Sequence, residues 1–209
     1  MSSDKTSGTD AARWDERYSG DDYHFGTEPN GFVVEAGALL APGRALCIAD
    51  GEGRNAVYLA ERGHDVTSMD ASAVGMRKAE RLATERGVRI TTRIADLLTF
   101  DFGVEQWDLI VSVFVHLPPD LRRDVHRRAV AGLRPGGAFL LEAYTPEQLN
   151  YRTGGPSTPE RLMRLDDLKV DLEGTELEIG RERVRHVAEG RGHDGHAAVV
   201  QVLARKLGR

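Results

Sequence analysis

Leu46-Cys47-Ile48-Ala49-Asp50-Gly51-Glu52-Gly53-Arg54-Asn55 is the stretch that decides the fold of this 209-residue chain. Residues 45–49 form a nearly continuous apolar run, the pattern of a strand buried on both faces. Gly51-Glu52-Gly53 breaks the run, and residues 54–62 read as a helix that stops at Gly63. A glycine turn between strand and helix lets backbone pass close to a ligand with no Cβ in the way. The free N–H groups at the helix start face the same crevice.

Working outward, the alternation repeats. Residues 65–69 read as a strand ending in Asp70, and residues 72–86 as a helix closed by Gly87. Residues 88–94 form a third strand ending at Asp96, and residues 108–114 a fourth. Pro118-Pro119 opens a helix running to about Leu133. Pro135-Gly136-Gly137 turns the chain into a fifth buried strand, residues 138–144. Strands alternating with helices mean βαβ crossovers, hence a parallel sheet with helices on both faces. The last two strands, residues 176–187 and 197–205, are joined by a glycine-rich loop too short for a helix, so they are expected to pair antiparallel. Toward the N-terminus, Asn30 caps a helix expected over residues 31–40. Residues 1–11 have little to bury and read as a disordered tail. Residues 12–209 read as one domain, with 12–43 an N-terminal lid and helix and 145–175 a substrate-side insert, a loop with a short helix.

Composition narrows the function. Forty per cent of residues are hydrophobic and the net charge is −5, so the chain as a whole is not built to grip nucleic acid or an anionic membrane. Cys47 is the sole cysteine, which excludes an intrachain disulfide and a Cys-rich zinc site. The start lacks an apolar h-region and no run is long enough to span a membrane, so the expected location is the cytoplasm. The expected partner is a small-molecule substrate, with no nucleic acid, no membrane and no metal, in a monomer or homodimer.

Asp70 lies 19 positions after Gly51, at the end of the next strand, where a carboxylate can hold a ribose diol. Asp96 ends the third strand in the same way. In a parallel sheet these strand ends share one edge, which is where ligands bind. A P-loop is absent. Gly51, Gly53 and Ala56 still satisfy the G-x-G-x-x-A variant of the dinucleotide fingerprint, so NAD remains open on spacing alone. The antiparallel terminal hairpin argues against it. A small NAD-dependent oxidoreductase and a non-catalytic nucleotide-binding or interaction domain are the alternative readings.

The order of glycine loop, Asp70, Asp96, fourth strand, Leu133-Arg134-Pro135-Gly136-Gly137 turn and closing hairpin resembles a class I S-adenosylmethionine-dependent methyltransferase over residues 30–206. Gly51-Glu52-Gly53-Arg54-Asn55-Ala56-Val57-Tyr58-Leu59-Ala60, Trp14-Asp15-Glu16-Arg17-Tyr18 and Phe25-Gly26-Thr27-Glu28-Pro29-Asn30 resemble its tellurite-resistance and thiopurine-methyltransferase-like branch. The resemblance implies a Rossmann-like seven-stranded sheet of order 3-2-1-4-5-7-6 with S-adenosyl-L-methionine as cofactor. It places the ribose on Asp70, the adenine edge on Asp96 and Leu97, the methionine part along Gly51 and Gly53, and Val113 and Phe114 beside the cofactor. Asp50, Asn55 and Ala71 complete the expected cofactor set. One departure is plain: the family's first acid is here Cys47, and Asp50 stands three positions later.

Methyl transfer from a sulfonium is an in-line displacement in which the protein mainly aligns the nucleophile and excludes water. A soft anionic nucleophile needs no base, whereas a hydroxyl does. His116, just after the fourth strand, is the expected base, with pocket lining or turn capping as the alternative. The chain has 13 aromatics (Trp 2, Tyr 5, Phe 6), and four of them, Trp14, Tyr18, Tyr23 and Phe25, crowd a short stretch without clear periodicity. They are expected to form a lid, with Trp14 and Tyr18 on the cofactor and Tyr23 and Phe25 on the substrate. Tyr144, Tyr151 and Arg152 are further substrate candidates. His193 and His196 read as exposed loop residues, the arginines from 122 to 128 as a solvated helix face, and Cys47 as core. The expected acceptor is a small molecule, such as a thiol, thiopurine or chalcogen oxyanion.

Overall fold

The computed structural model describes residues 7–151 and 153–208. Its sheet has seven strands: β1 (Arg44–Ile48), β2 (Asp65–Asp70), β3 (Thr91–Ile94), β4 (Trp107–Val113), β5 (Leu133–Tyr144), β6 (Thr175–Ala188) and β7 (Asp194–Lys206). They lie in the order β3-β2-β1-β4-β5-β7-β6, as expected. The first five pair in parallel, while β7 runs antiparallel to both β5 and β6.

Successive residues of a strand point to opposite faces, and each face has its own helices. Ala45 and Cys47 of β1, with Leu109 and Val111 of β4, pack under Phe32, Val33 and Ala36 of α2 (Gly31–Gly37) and Ala56 and Leu59 of α3 (Arg54–Glu61). Leu46, Ile48, Ile110, Phe139 and Leu141 face the other way. They meet Val125 and Ala129 of α5 (Pro119–Gly132) and Leu168 of α6 (Leu165–Asp171). Cys47 is thus a core residue. The remaining crossover is α4 (Ala73–Glu85), whose N-cap Ser72 accepts from Gly75 N–H.

Two expectations change. Residues 7–11, read as tail, belong to α1 (Ser7–Tyr18), which extends into the aromatic stretch; residues 1–6 lie outside the described residues. The signal was Trp14 and Tyr18 at i,i+4 spacing, which stacks their rings 5.4 Å apart on one helix face. The arginines of α5 are not one solvated face either. Arg122 is buried and donates to Asp171 Oδ2 at 2.6 Å, docking α6, while Arg128 donates to the carbonyls of Leu97, Leu98 and Phe100. Arg127 and Asp124 do pair at the surface. Among the described residues no helix is long and apolar enough to cross a membrane.

Candidate active site

The strand order reverses between β1 and β4, and a crevice opens at such a switch point. Both strands leave the sheet there in strained conformations. Ala49 has φ 46° and Phe114 φ 55°, values that non-glycine residues adopt at a cost and mostly at functional sites. Asp50 points back into the fold. Its carboxylate accepts from Ser68 Oγ at 2.9 Å on β2 and from Asn55 Nδ2 at 3.5 Å on α3. Burial pushes it up to about 7. This places Asp50 as the brace of the glycine loop. Asn55 Oδ1 accepts from Asn30 N–H at 2.9 Å, tying the loop to the start of α2.

Asp70 is held at the end of β2 by two backbone donors, Gly51 N–H to Oδ2 at 2.9 Å and Ser72 N–H to Oδ1 at 2.8 Å. Burial raises its carboxyl above the ordinary range. A carboxylate oxygen offers two lone pairs, so each can still accept a hydroxyl. Ala71 lies between these anchors. Asp96 is oriented by Leu98 N–H on Oδ1 at 2.9 Å, and Leu97 beside it is buried.

The N-terminal segment is pinned to the glycine loop and α4. Glu52, within the glycine loop, and Lys78, on α4, form a buried pair at 2.6 Å. Lys78 Nζ also donates to the carbonyls of Tyr18 and Asp22, and Glu52 Oε2 accepts from His24 and Phe25 N–H. Tyr18 is buried against the loop, and burial drives its phenol well above its usual value. Trp14 stacks on Tyr18 and carries the Arg17 guanidinium 4.9 Å above its ring. Tyr23, expected at the substrate, packs instead beside Val57, Leu82 and Ala83, with its hydroxyl on Lys78 O at 3.1 Å. Its partners are all on the α3 and α4 side.

A second buried network was not anticipated. Glu142, fully buried on β5, accepts from Asn30 Nδ2, Arg185 and Gln201. Glu189 accepts from Asn30 Nδ2, from Arg185 at 2.8 Å and from Arg54 at 2.6 Å. Two acids and two guanidiniums therefore compensate each other, as buried charges must. The available signal was Glu142 standing alone inside the apolar run of β5.

The aromatic residues at the other end of the crevice form one cluster. Phe114 stacks on Tyr144 at 4.5 Å and meets His193 edge-on at 4.3 Å; Phe25 meets His193 at 4.6 Å; His116 stacks on Tyr144 at 5.6 Å. The structure thus brings Phe25, Phe114, His116 and Tyr144 together, while Val113 lies half-buried at the end of β4. His193, expected to be an exposed loop residue, is 7% exposed. It is drawn in because the turn at Gly190 and Gly192 lies on residues 24–26, with no room for side chains. His196 does remain exposed. Tyr151 is 37% exposed, and Arg152 lies outside the described residues. Among the described residues no group of three or more His, Cys, Asp or Glu is arranged to hold a metal.

Asp70 and Asp96 at successive strand ends, a glycine loop opening a helix and an aromatic far wall suit a ligand with a diol, an amide-seeking anionic end and a cationic centre. Residues 45–137 match the family model described as a methyltransferase domain. The chain is 29% identical over 134 residues to 2-heptyl-1-hydroxyquinolin-4(1H)-one methyltransferase of Mycobacteroides abscessus, covering 61% of this chain and 58% of that protein. It is 31% identical over 91 residues to TehB of Haemophilus influenzae, named a probable S-adenosyl-L-methionine-dependent methyltransferase, covering 44% of this chain and 32% of TehB. The matches thus span less than two thirds of these relatives' lengths. In three dimensions the chain is similar to TehB with a TM-score of 0.69 at 22% identity, over 94% of this chain and 66% of TehB. It is also similar to a protein solved in work on conversion of a disulfide bond into a thioacetal group during echinomycin biosynthesis. That likeness has a TM-score of 0.76 at 20% identity, over 97% and 91% of the two chains. Both likenesses show the shared fold.

Proposed function

We propose that this chain is a class I methyltransferase that transfers a methyl group from S-adenosylmethionine to a small-molecule acceptor, a reading supported by the methyltransferase-domain match over residues 45–137. The observation that carries the reading is Asp70, locked at the end of β2 by the Gly51 and Ser72 amides, on the sheet edge where β1 and β4 diverge at Ala49 and Phe114. Asp70 would hold the ribose diol, Asp96 with Leu97 the adenine edge, and the loop at Gly51–Gly53 the methionine end. When bound, the cofactor supplies an activated methyl group on sulfur. The protein's own tasks are then to hold the acceptor in line, to keep water out beneath residues 12–30, and to take up a proton where the acceptor carries one.

The insert between β5 and β6 is two short 3₁₀ turns and the seven-residue α6, too small to dock a protein or nucleic acid, which supports a small acceptor. The resemblance to the tellurite-resistance and thiopurine branch favours a thiol, a thiopurine or a chalcogen oxyanion. The named substrate of the Mycobacteroides relative favours a hydroxylated heterocycle. Calorimetry with S-adenosylmethionine and with NAD tests the cofactor. Binding of S-adenosylmethionine, weakened by about 1–3 kcal/mol in Asp70→Ala, is expected from the loss of hydrogen bonds to a charged group. Binding of NAD instead, or unchanged affinity in the variant, would overturn the assignment.

A further inference from the structure

Tyr144 and two side chains packed on it each carry a buried polar atom without a hydrogen-bond partner: Tyr144 Oη, His116 Nε2 and His193 Nδ1. Buried polar atoms are normally paired, so three orphans on mutually packed rings call for an explanation. All three rings belong to one cluster: His116 lies 5.6 Å and His193 5.5 Å from Tyr144. The cluster sits where β4 and β5 end, on the sheet edge that carries Asp70.

The tautomer of His116 follows from its other nitrogen. Nδ1 lies 3.0 Å from the Arg161 carbonyl oxygen, which can only accept, so Nδ1 carries the hydrogen and Nε2 presents a lone pair. Burial holds His116 down at about 4 and His193 at about 3, so both rings are neutral at physiological pH. The charged or titratable groups facing them are Arg161 beside His116, and Arg54, Glu189 and His24 beside His193. Phe25 and Phe114 complete the aromatic wall. Flat aromatic walls favour a flat aromatic guest.

We propose that His116, Tyr144 and His193 form the acceptor pocket, and that it takes a planar aromatic hydroxyl compound bearing a second polar atom, with His116 Nε2 receiving the hydroxyl proton. This rests on the methyltransferase reading above and deepens it. Tyr144 Oη and His193 Nδ1 hold the second polar atom and so set the ring's orientation. As the acceptor's O–H bond breaks, its proton passes to Nε2 and the oxygen forms its bond to the methyl carbon. The carbon–sulfur bond breaks with its electron pair left on sulfur. The positive charge that sulfur loses reappears on the imidazolium, which then gives its proton to solvent.

The test uses the full chain with S-adenosylmethionine and four probes: 8-hydroxyquinoline, 4-nitrophenol as an acceptor ionised near neutral pH, 2-mercaptoethanol and selenite. Calorimetry first establishes that cofactor binds wild type and His116→Gln alike. On 8-hydroxyquinoline, His116→Gln is expected to lower kcat by about 10²–10⁴-fold, the usual contribution of a positioned base. On 4-nitrophenol above its pKa the loss should shrink to within about tenfold, a difference that mere loss of packing would not produce. Tyr144→Phe and His193→Ala should act mainly on KM. Turnover of 2-mercaptoethanol or selenite alone, with bound cofactor, would overturn the acceptor class and leave the methyltransferase reading standing. Equal losses on both hydroxyl probes would remove His116 as the base. Failure of wild type to bind S-adenosylmethionine would overturn both readings. If His116→Gln is misfolded by circular dichroism, wild-type rates across phenols of graded pKa decide: rates independent of ionised fraction support the base, and rates tracking it refute it.

Discussion

Lys78→Met should release the N-terminal segment before it unfolds the sheet. Lys78 is buried with Glu52 at 2.6 Å and holds the carbonyls of Tyr18 and Asp22 at 3.1 and 2.7 Å. Removing one partner of a buried pair strands the other charge, at a cost of about 3–5 kcal/mol. Spread over the whole fold, that would lower the thermal midpoint by roughly 6–20 °C for a chain of this size. Apart from the pair with Glu52, however, the ties that are cut run to the segment between Tyr18 and Phe25. Release of that segment therefore caps the global loss, and the midpoint should fall by less than the full amount. Glu52→Gln should resemble Lys78→Met, and the double variant should cost at least ~1 kcal/mol less than the sum of the two, since it leaves no lone buried charge. Tryptophan fluorescence reports both regions, because Trp14 lies on α1 and Trp107 on β4. Urea unfolding followed by fluorescence and by far-ultraviolet circular dichroism should diverge in Lys78→Met and coincide in wild type. Trypsin should cut at Arg13 and Arg17 faster in the variant. A single-variant cost under ~1 kcal/mol, with unchanged cleavage, would refute the pinning role.

Gly53→Ala should cost about 2–4 kcal/mol in urea unfolding, because φ is 87° there and a Cβ would lie 2.4 Å from Ala79 Cβ on α4; a loss below ~1 kcal/mol would contradict the close approach. Asp50, raised from 3.8 to about 7 by burial, binds its proton more tightly in the folded state than in the unfolded chain, so its contribution is greatest below pH 4 and is lost as pH rises through about 7. Asp50→Asn should therefore remove up to about 4 kcal/mol of that slope between pH 4 and 7, read from urea midpoints across the range, and a wild type that instead gains stability relative to the variant over this window would reverse the assignment. A chain beginning at Asn30 should keep its far-ultraviolet spectrum and bind S-adenosylmethionine more weakly; if it fails to fold, residues 12–29 are core and not cover.

The sheet was legible because its determinants are local. The apolar run of β1, the glycine loop and the acids at residues 70 and 96 each declare themselves within a few positions, and a hairpin loop without room for a helix forces antiparallel pairing. The N-terminal segment was harder. Trp14 and Tyr18 show helical spacing over a single turn, too short to stand out from the polar residues between them. Tyr23 and Phe25 are near neighbours in sequence, yet one turns to α4 and the other to His193, a choice made by Lys78 and Glu52 more than fifty and twenty-five positions away. The depth of His193 could not be read from its loop, because what covers it is the turn folding onto residues 24–26. Glu142 was visible as an anomaly, but its partners at positions 30, 185 and 201 belong to three other elements, and no spacing rule connects them.

That last network constrains how the protein can change. Asn30, Arg54, Glu142, Arg185 and Glu189 balance one another with no net charge to spare, so an apolar residue at 142 would leave two guanidiniums facing one acid, and loss of Arg54 would leave two acids facing one guanidinium. Drift at these positions must proceed in matched pairs or through a neutral intermediate such as Glu142→Gln. Arg54 opens the helix after the glycine loop, whereas Glu189 begins the turn that carries His193. Mutational searches that vary this turn will therefore meet epistasis from the start of the helix after the glycine loop, and libraries that randomise residues 54, 142, 185 and 189 together will recover folded variants that one-at-a-time scanning discards.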